Sequence, residues 1–317
     1  MIKQFFKYLI VFIFAVLFAL PVCAQNSGEG LTISPPLSDL SLKPGDVSEQ
    51  TIRITNPTDK LMEVYPQVQN FRAKGEGGEP DFYPASNDDT NFALASWVKF
   101  SQSKIALTPE QVAEFKYRIN VPINAEPGGH YGVIFFATEP PKTNADSNQV
   151  SVASKIGSLI LVKTPGDIKE SGQLTDFSAN KFFFKGPILF TTRIQNSGNI
   201  HFKPKGQIII KNWQGKSIES IEFNAANGNV LPESTRKFEE KFPPSIWTFG
   251  YFSANLALSY GETNQTLQGK LTFWIIPWWL IVSLIIVIIV LTLIIWQRKR
   301  KKPKASPKRN ERKFVMR

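Results

Sequence analysis

Residues 41–60 have the sequence SLKPGDVSEQTIRITNPTDK, in which a β-strand lies between two turns. Ile52 and Ile54 alternate with polar residues, so one face of the strand is apolar. The turn at residues 43–46 is predicted from Pro-Gly, because proline fixes φ and glycine tolerates a positive φ. The sequence NPTD at residues 56–59 predicts a second turn. The segment therefore predicts an antiparallel strand with one buried face.

The same pattern of short β-rich runs between Pro, Gly, Asn and Asp residues continues to residue 260, with almost no helical periodicity. It restarts after a turn at residues 164–167, and a last short strand is expected before the apolar segment. The predicted strands span residues 31–34, 37–42, 48–55, 62–71, 97–100, 104–107, 113–121, 131–138, 150–162, 174–179, 188–195, 205–212, 218–223, 236–242 and 251–260. The pattern predicts an all-β fold of two tandem immunoglobulin-like β-sandwich domains, residues 26–165 and 166–270, followed by one transmembrane helix.

A weak internal repeat relates the two predicted sandwiches. TIRITN at residues 51–56 resembles TRIQN at residues 192–196, and each ends at an asparagine before a turn. Pro109-Glu110 precedes Phe115 by the same distance as Pro232-Glu233 precedes Phe238. The matches occur in the same order, which favours two related sandwiches. The first half is longer in the polar stretch at residues 72–92, which is interpreted as an inserted loop.

The first 24 residues predict a secretory signal peptide. Lys3 and Lys7 precede an apolar run at residues 8–20, and small residues follow Pro21, with cleavage expected after Ala24. An uncleaved anchor is one alternative. Acylation of Cys23, the single cysteine of the chain, is another. Each interpretation implies export from the cytoplasm.

Residues 271–296 predict a transmembrane helix, because they contain no charged residue and are long enough to cross a ~30 Å hydrocarbon core. Trp274, Trp278 and Trp279 at one end and Trp296 at the other are predicted at the two membrane interfaces. The basic tail, residues 297–317, predicts a cytoplasmic C-terminus. The localisation predicted is therefore the cell membrane, single-pass, with an extracellular N-terminal ectodomain.

The net charge of +11 comes from the two ends of the chain. Residues 297–317 hold 11 of the 37 basic residues and one of the 26 acidic residues, and the first 25 residues hold two further lysines. Residues 26–270 therefore keep 24 basic and 25 acidic residues. A body without excess positive charge predicts no nucleic-acid partner.

Composition also argues against an enzyme. One cysteine and two histidines, His130 and His201, cannot build a thiolate or multi-histidine metal site. No phosphate-binding loop and no nucleophile elbow occurs, so the sequence predicts no catalysis, cofactor or metal. Acidic residues at positions 79, 81, 88 and 89 are compatible with a calcium ion, but their spacing fits ordinary solvated loop charges.

Four residues are candidates for binding. Phe82 and Tyr83 lie in the predicted inserted loop, where aromatic rings could stack on sugars or pack within the loop. His130 and Tyr131 begin a predicted strand, where they could contact a ligand or serve the local turn.

Four segments of the first predicted sandwich resemble the first ectodomain of the WxL-interacting proteins, surface proteins of Gram-positive bacteria. They are SLKPGDVSEQTIRITNPTDK, WVKF, LTPEQVAEFKYRINVP and GGHYGVIFF. The resemblance covers residues 31–163, and for residues 170–270 it depends on position and architecture. It implies a peptidoglycan-binding first sandwich, a second sandwich that binds a host or partner protein, one membrane span and a basic tail. Pilus chaperones and fibronectin-like domains share some of these motifs.

The function predicted is that of a membrane-anchored cell-surface binding protein that attaches to cell-wall glycan, an extracellular protein partner or both. The alternative is a membrane-tethered, chaperone-like accessory for the assembly or secretion of surface proteins. The expected partners are the lipid bilayer, peptidoglycan and an extracellular protein, with an exposed sheet edge as one mode of recognition.

Overall fold

The computed structural model describes residues 30–86, 92–139 and 154–300. By packing, the chain divides into two compact units, Met1–Phe71 with Phe82–Asp167 and Arg72–Asp81 with Ile168–Arg317. The predicted signal peptide with Cys23, the acids Asp88 and Asp89, the first part of the predicted strand 150–162 and the tail beyond Arg300 lie outside the described residues.

The first ten strands form a sandwich of two sheets, with orders β1-β3-β8-β6 and β2-β10-β9-β4-β5, and β7 pairs with β4. Strands β2 and β10 pair in parallel, whereas β9 pairs antiparallel with both β10 and β4. The strands are β1 (Thr32–Ser34), β2 (Leu37–Ser41), β3 (Val47–Thr55), β4 (Met62–Lys74), β5 (Glu79–Tyr83), β6 (Val98–Lys99), β7 (Ile105–Leu107), β8 (Val112–Asn120), β9 (Gly128–Ala137) and β10 (Lys155–Thr164).

Apolar side chains at every second position of the strands form the core of the first sandwich. Ile52 and Ile54 of β3 are fully buried, as their spacing predicts, and pack with Phe115 of β8. Ile134 and Phe136 of β9 enter the same cluster from the facing sheet. Each apolar side chain removed from water contributes roughly 1.5–3 kcal/mol, so this cluster holds the two sheets together.

The second sandwich also has two sheets, with orders β11-β13-β16 and β12-β18-β17-β14-β15. Its core cluster includes Phe190, Phe223 and Phe273, each at most 1% exposed. The strands are β11 (Gly172–Ser178), β12 (Phe182–Phe183), β13 (Ile188–Asn196), β14 (Lys205–Asn212), β15 (Ser217–Phe223), β16 (Ser234–Phe242), β17 (Gly250–Tyr260) and β18 (Gln265–Ile275).

The segments of the internal repeat occupy matching places in the two sandwiches. Strand β3, which Asn56 follows, pairs with β8, and β13, which ends at Asn196, pairs with β16. Glu110, just before β8, has a φ of 56°, and Glu233, just before β16, has a φ of 55°. This left-handed conformation is uncommon for a residue with a Cβ, so its recurrence supports the relation between the two halves.

The predicted inserted loop at residues 72–92 is wrong for part of its length. Strand β4 continues to Lys74, and β5 follows as the edge strand of the same sheet. The segment EPDFY carries proline and acidic residues, which are typical of edge strands. Because of these residues, the pattern of hydrophobicity does not predict the strand.

The C-terminal apolar helix starts later than the transmembrane helix that the sequence predicts. Helix α1 spans Trp278–Arg300, while Leu271–Ile275 is the last part of β18. Phe273 and Ile275 are buried in the second sandwich, because their alternation with Thr272 and Trp274 fits a strand. Residues 278–297 are long and apolar enough to cross a membrane. The predicted fold class, two immunoglobulin-like sandwiches followed by one apolar helix, is confirmed.

Candidate functional site

His130, a predicted binding residue, lies inside the first sandwich. It is 3% exposed, and its ring centroid is 4.2 Å from that of Trp97. The Nε2–H group donates to the carbonyl oxygen of Glu126 at 3.0 Å. Burial lowers the pKa of His130, and hydrogen bonding to backbone carbonyls opposes this effect only in part. His130 is thus placed as a neutral interior residue.

A hydroxyl group lies next to His130, but the arrangement does not favour nucleophilic catalysis. Thr164 Oγ1 is 3.3 Å from His130 Nε2 and donates a 2.5 Å hydrogen bond to the Glu126 carbonyl. Both side chains direct their hydrogens to the same carbonyl and both are buried. This geometry fixes the turn before β9 and leaves no room for a substrate at the hydroxyl.

Tyr131 and Phe82 belong to a second apolar layer on the outer face of β9. The Tyr131 ring lies 5.8 Å from that of Phe71, and Phe82 lies 4.8 Å from Phe135 in an edge-on arrangement. Tyr131 is 2% exposed and Phe82 is 36% exposed, while Tyr83 beside it is half-buried. Ring packing therefore occupies much of the surface that sugar stacking would need, and binding by these residues stays a prediction.

The outer layer ends at β10. The Phe135 ring lies over Gly157, where a Cβ atom would meet it at 2.8 Å, and the Lys155 ammonium lies 4.3 Å from the centre of the same ring. A glycine at position 157 thus lets an aromatic ring cover the strand from its neighbour.

Strand β10 offers a partly open backbone edge. On one side, it pairs with β9 along its whole length, from Lys155 to Thr164. On the other side, β2 pairs with it only from Leu159 to Lys163. Among the described residues, no strand pairs with this second side at residues 155–157.

The direction of the backbone groups at this edge follows from the pleat. The N–H group of Leu159 donates to Pro36, and the carbonyl of Lys163 accepts from Leu42, so odd-numbered residues point toward β2. Lys155 and Gly157 continue this series beyond the end of the pairing. Their N–H and C=O groups are thus oriented to receive one more strand.

A shallow groove of about 480 Å³ lies on the other sheet, at β8 and the edge strand β6. Lys99 and Arg118 face each other across the two strands, and Arg118 is 3.4 Å from Glu49. Burial raises the pKa of the adjoining Tyr117 to about 12, so its phenol is neutral. The groove is lined by Glu49, Lys99, Phe100, Ser101, Lys116, Tyr117 and Arg118. Its charge suits an acidic group and supplies no pair for acid–base catalysis.

The acidic residues of the β4–β5 hairpin do not form a metal site. Asp81 forms an ion pair of 3.0 Å with Arg72. Within residues 30–86, 92–139 and 154–300, no three histidine, cysteine or acidic side chains lie close enough to hold a metal ion. Charge pairing with Arg72 therefore accounts for Asp81, one of the two described members of the predicted acidic cluster.

The predicted interface tryptophans divide between a strand and a helix. Trp274 is on β18, where its ring lies 5.3 Å from that of Tyr251, and Trp278 and Trp279 form the first turn of α1. Trp296 lies near the other end of the helix. Sequence reasoning did not single out the loop before β17, although Trp279 Nε1 donates to the carbonyl of Ile246 there at 3.0 Å.

No protein-family model and no curated protein sequence matches the chain. Among solved structures, the class 5 fimbriae chaperone CfaA is 17% identical, covers 78% of this chain and 100% of its own, and has a TM-score of 0.38. The E. coli chaperone DraB is 14% identical, with 77% and 96% covered and a TM-score of 0.33. The Pseudomonas aeruginosa CupB2 chaperone is 9% identical, with 74% and 97% covered and a TM-score of 0.33. At these values, the sandwich assignment depends on the strand pairing described above.

Proposed function

We propose that this protein is a membrane-anchored accessory factor on the extracytoplasmic side, which binds an extended segment of another exported protein by strand addition. The partner strand would pair with β10 at Lys155 and Gly157. This proposed role corresponds to the chaperone-like function that the sequence analysis gives as its alternative. It is favoured over glycan attachment because Phe82, one of the two rings expected to stack on sugars, packs edge-on against Phe135.

The open edge of β10 carries the proposal. Main-chain hydrogen bonds provide affinity for any extended segment, while side-chain contacts next to the edge select among segments. Ile156 is half-buried beside the edge and could contact an apolar side chain of the added strand. Helix α1 supports the proposal by offering a single-pass anchor, and the predicted signal peptide would place both sandwiches outside the cytoplasm.

Photo-crosslinking in intact cells tests the proposed edge. A photoreactive residue at position 155 of the full chain is expected to capture an exported protein. The same residue at Lys43, in the exposed turn before β3, is the control and is expected to capture far less. Crosslinks at position 155 to lipid alone, or equal protein capture at both positions, would contradict the proposal.

Lys155→Pro tests the hydrogen bonding itself. Proline deletes the outward N–H group of residue 155, which β9 does not use. Lys155→Ala removes the same side chain but keeps the N–H group. Copurification of the crosslinked partner with the full chain is expected to fall several-fold for Lys155→Pro and to change little for Lys155→Ala.

Attachment to peptidoglycan, which the family resemblance implies, is a separate proposal. Sedimentation of the detergent-solubilised full chain with isolated sacculi tests it. Retention that Lys155→Pro does not alter would favour wall binding through another surface. A chain that stays in the supernatant while it captures an exported protein would favour the accessory role.

A further inference from the structure

The exposed apolar side chains of the second sandwich are concentrated at one end. Within residues 168–277, all of which the structure describes, ten large apolar side chains are at least 36% exposed. The most exposed are Trp213, Ile246 and Trp247, each at 71%, and Phe182 and Phe249 are each at 56%. Side chains of this size are rarely left in water without a partner when they cluster.

Strand register places these side chains at the end of the sheet from which α1 emerges. Gly250 at the start of β17 pairs with Ile275 at the end of β18. The loop with Ile246, Trp247 and Phe249 leads directly into Gly250. Phe182 pairs with Trp274, next to that end of β18. The remaining exposed apolar residues also lie at strand ends or turns on this side.

The β12 segment continues toward the helix. The N–H group of Ile276 donates to the carbonyl of Phe183 at 2.8 Å, so Phe184, 53% exposed, lies level with the junction between β18 and α1. Only Ile276 and Pro277 separate the strand from the helix. A junction of two residues leaves no length for a flexible stalk.

The loop before β17 contacts the first turn of α1. The hydrogen bond from Trp279 to Ile246 is accompanied by ring contacts of 5.7 Å from Trp247 to Trp279 and 6.5 Å from Phe249 to Trp279. If α1 crosses a bilayer, its first turn lies at the headgroup level, and this loop must lie at the same depth.

The polar residues at this end fit an anionic surface. Exposed lysines flank the apolar residues at positions 181 and 185 on either side of Phe182–Phe184, and Lys216 and Lys241 lie on neighbouring segments, with Glu219 among them. Aromatic rings with lysines around them are typical of protein surfaces that insert at the lipid headgroups.

We propose that the loop at residues 245–249 and the β12 segment at residues 182–184 form a lipid-binding rim, which inserts into the outer surface of the bilayer that α1 crosses. The rim holds the second sandwich against the membrane at a fixed distance. This inference rests on the proposed membrane anchoring. It adds to α1 a second membrane contact, which orients the sandwich above it.

Depth measurements on the full chain test the rim. The chain is reconstituted, on a Cys23→Ser background, into phosphatidylcholine–phosphatidylglycerol vesicles that contain nitroxide-labelled lipid. Single fluorescent labels are attached through Ser245→Cys in the rim loop and Ala226→Cys in the exposed loop at the other end of β15. Shallow nitroxides are expected to quench at least half of the Ser245 signal and little of the Ala226 signal.

A label at Val287→Cys, in the middle of α1, separates the inference from the anchoring. Deep nitroxides are expected to quench it. If they do and the Ser245 label is not quenched, the rim is wrong and the anchoring is upheld. If the Val287 label is not quenched, the anchoring fails and the rim fails with it.

Serine substitutions test whether the loop at residues 245–249 inserts into the bilayer through its own side chains or only lies near it because α1 is close. Trp247→Ser with Phe249→Ser is expected to lower quenching at Ser245 at least two-fold, while Ile123→Ser, at an exposed position of the first sandwich, leaves it unchanged. Unchanged quenching in the double variant would overturn the proposal, because the helix alone would then hold the loop near the bilayer.

Discussion

At the scale of single residues, the two strand-ending asparagines explain why a short repeat persists in otherwise different halves. Asn56 is fully buried, and its side-chain nitrogen donates to the carbonyls of Lys60, Leu107 and Thr108. Asn196 is fully buried in the other sandwich, and its side-chain nitrogen donates to Ile200 and Val230. Each amide ties its own turn to a segment more than 30 residues away in the sequence, a role that no apolar residue can fill.

Asn56→Ala and Asn196→Ala are each expected to destabilise their own sandwich by about 2 kcal/mol or more, since buried carbonyl groups lose their donors. Chemical denaturation of the detergent-solubilised chain, followed by tryptophan fluorescence, measures the loss. Asn120→Ala, at the exposed end of β8, is the control and is expected to change little. Equal midpoints for Asn56→Ala and Asn120→Ala would contradict this interpretation.

His130 makes the stability of the first sandwich depend on pH. Its pKa is lowered from the ordinary value of 6.5 by burial, so below pH 6.5 the unfolded chain binds the proton more readily than the folded chain. The contribution of His130 to the free energy of unfolding is therefore fully present above pH 6.5. Below it, about 1.4 kcal/mol is lost for each pH unit until the folded pKa is reached. His130→Gln, which keeps an N–H donor, is expected to flatten the denaturation midpoint between pH 7.5 and 5.5. A variant as pH-sensitive as the native chain would refute this account.

At the scale of elements, the junction between β18 and α1 shows where sequence patterns compete. Residues 271–296 form one uncharged run, and hydropathy alone predicts one helix. The first five residues instead complete β18, because Phe273 and Ile275 alternate into the core and pair with Phe252 and Gly250. The helix begins only after Pro277, whose missing N–H group is tolerated at a helix start.

This junction predicts the length that a soluble ectodomain needs. A chain that ends at Lys270 loses the core residues Phe273 and Ile275, and truncating one buried phenylalanine alone costs about 3–5 kcal/mol. Its second sandwich is expected to be unfolded, while a chain that ends at Pro277 is expected to fold. Thermal melting of the two secreted proteins compares them. Melting temperatures within a few degrees of each other would show that the end of β18 is dispensable.

The competition between local sequence pattern and strand pairing also determines which other elements the sequence predicts. Strands with clear alternation, such as the one with Ile52 and Ile54, were predicted within a residue or two. Polar β5 and the two-residue β12 were missed because their pairing, and not their composition, makes them strands. The open edge at Lys155 and Gly157 depends on where β2 stops pairing, and the burial of His130 depends on contacts with distant segments. Neither the open edge nor the burial of His130 can be predicted from the spacing of neighbouring residues.

At the scale of the whole molecule, the two proposals describe different surfaces on one anchored chain. The edge of β10 lies in the first sandwich, and the lipid-binding rim lies in the second. The two proposals therefore assign partner capture and membrane contact to different units of the chain. This division of roles depends on one orientation of the chain across the bilayer.

Cysteine accessibility tests that orientation, and the chain suits it because Cys23 is its single cysteine. On a Cys23→Ser background, Ser103→Cys in the first sandwich is expected to react with a membrane-impermeant maleimide in intact cells. Ser306→Cys, in the basic tail, is expected to react only after permeabilisation, since clustered lysine and arginine stay on the cytoplasmic side. Labelling of Ser306→Cys in intact cells would place the tail outside and remove the basis for both the anchored accessory role and the rim.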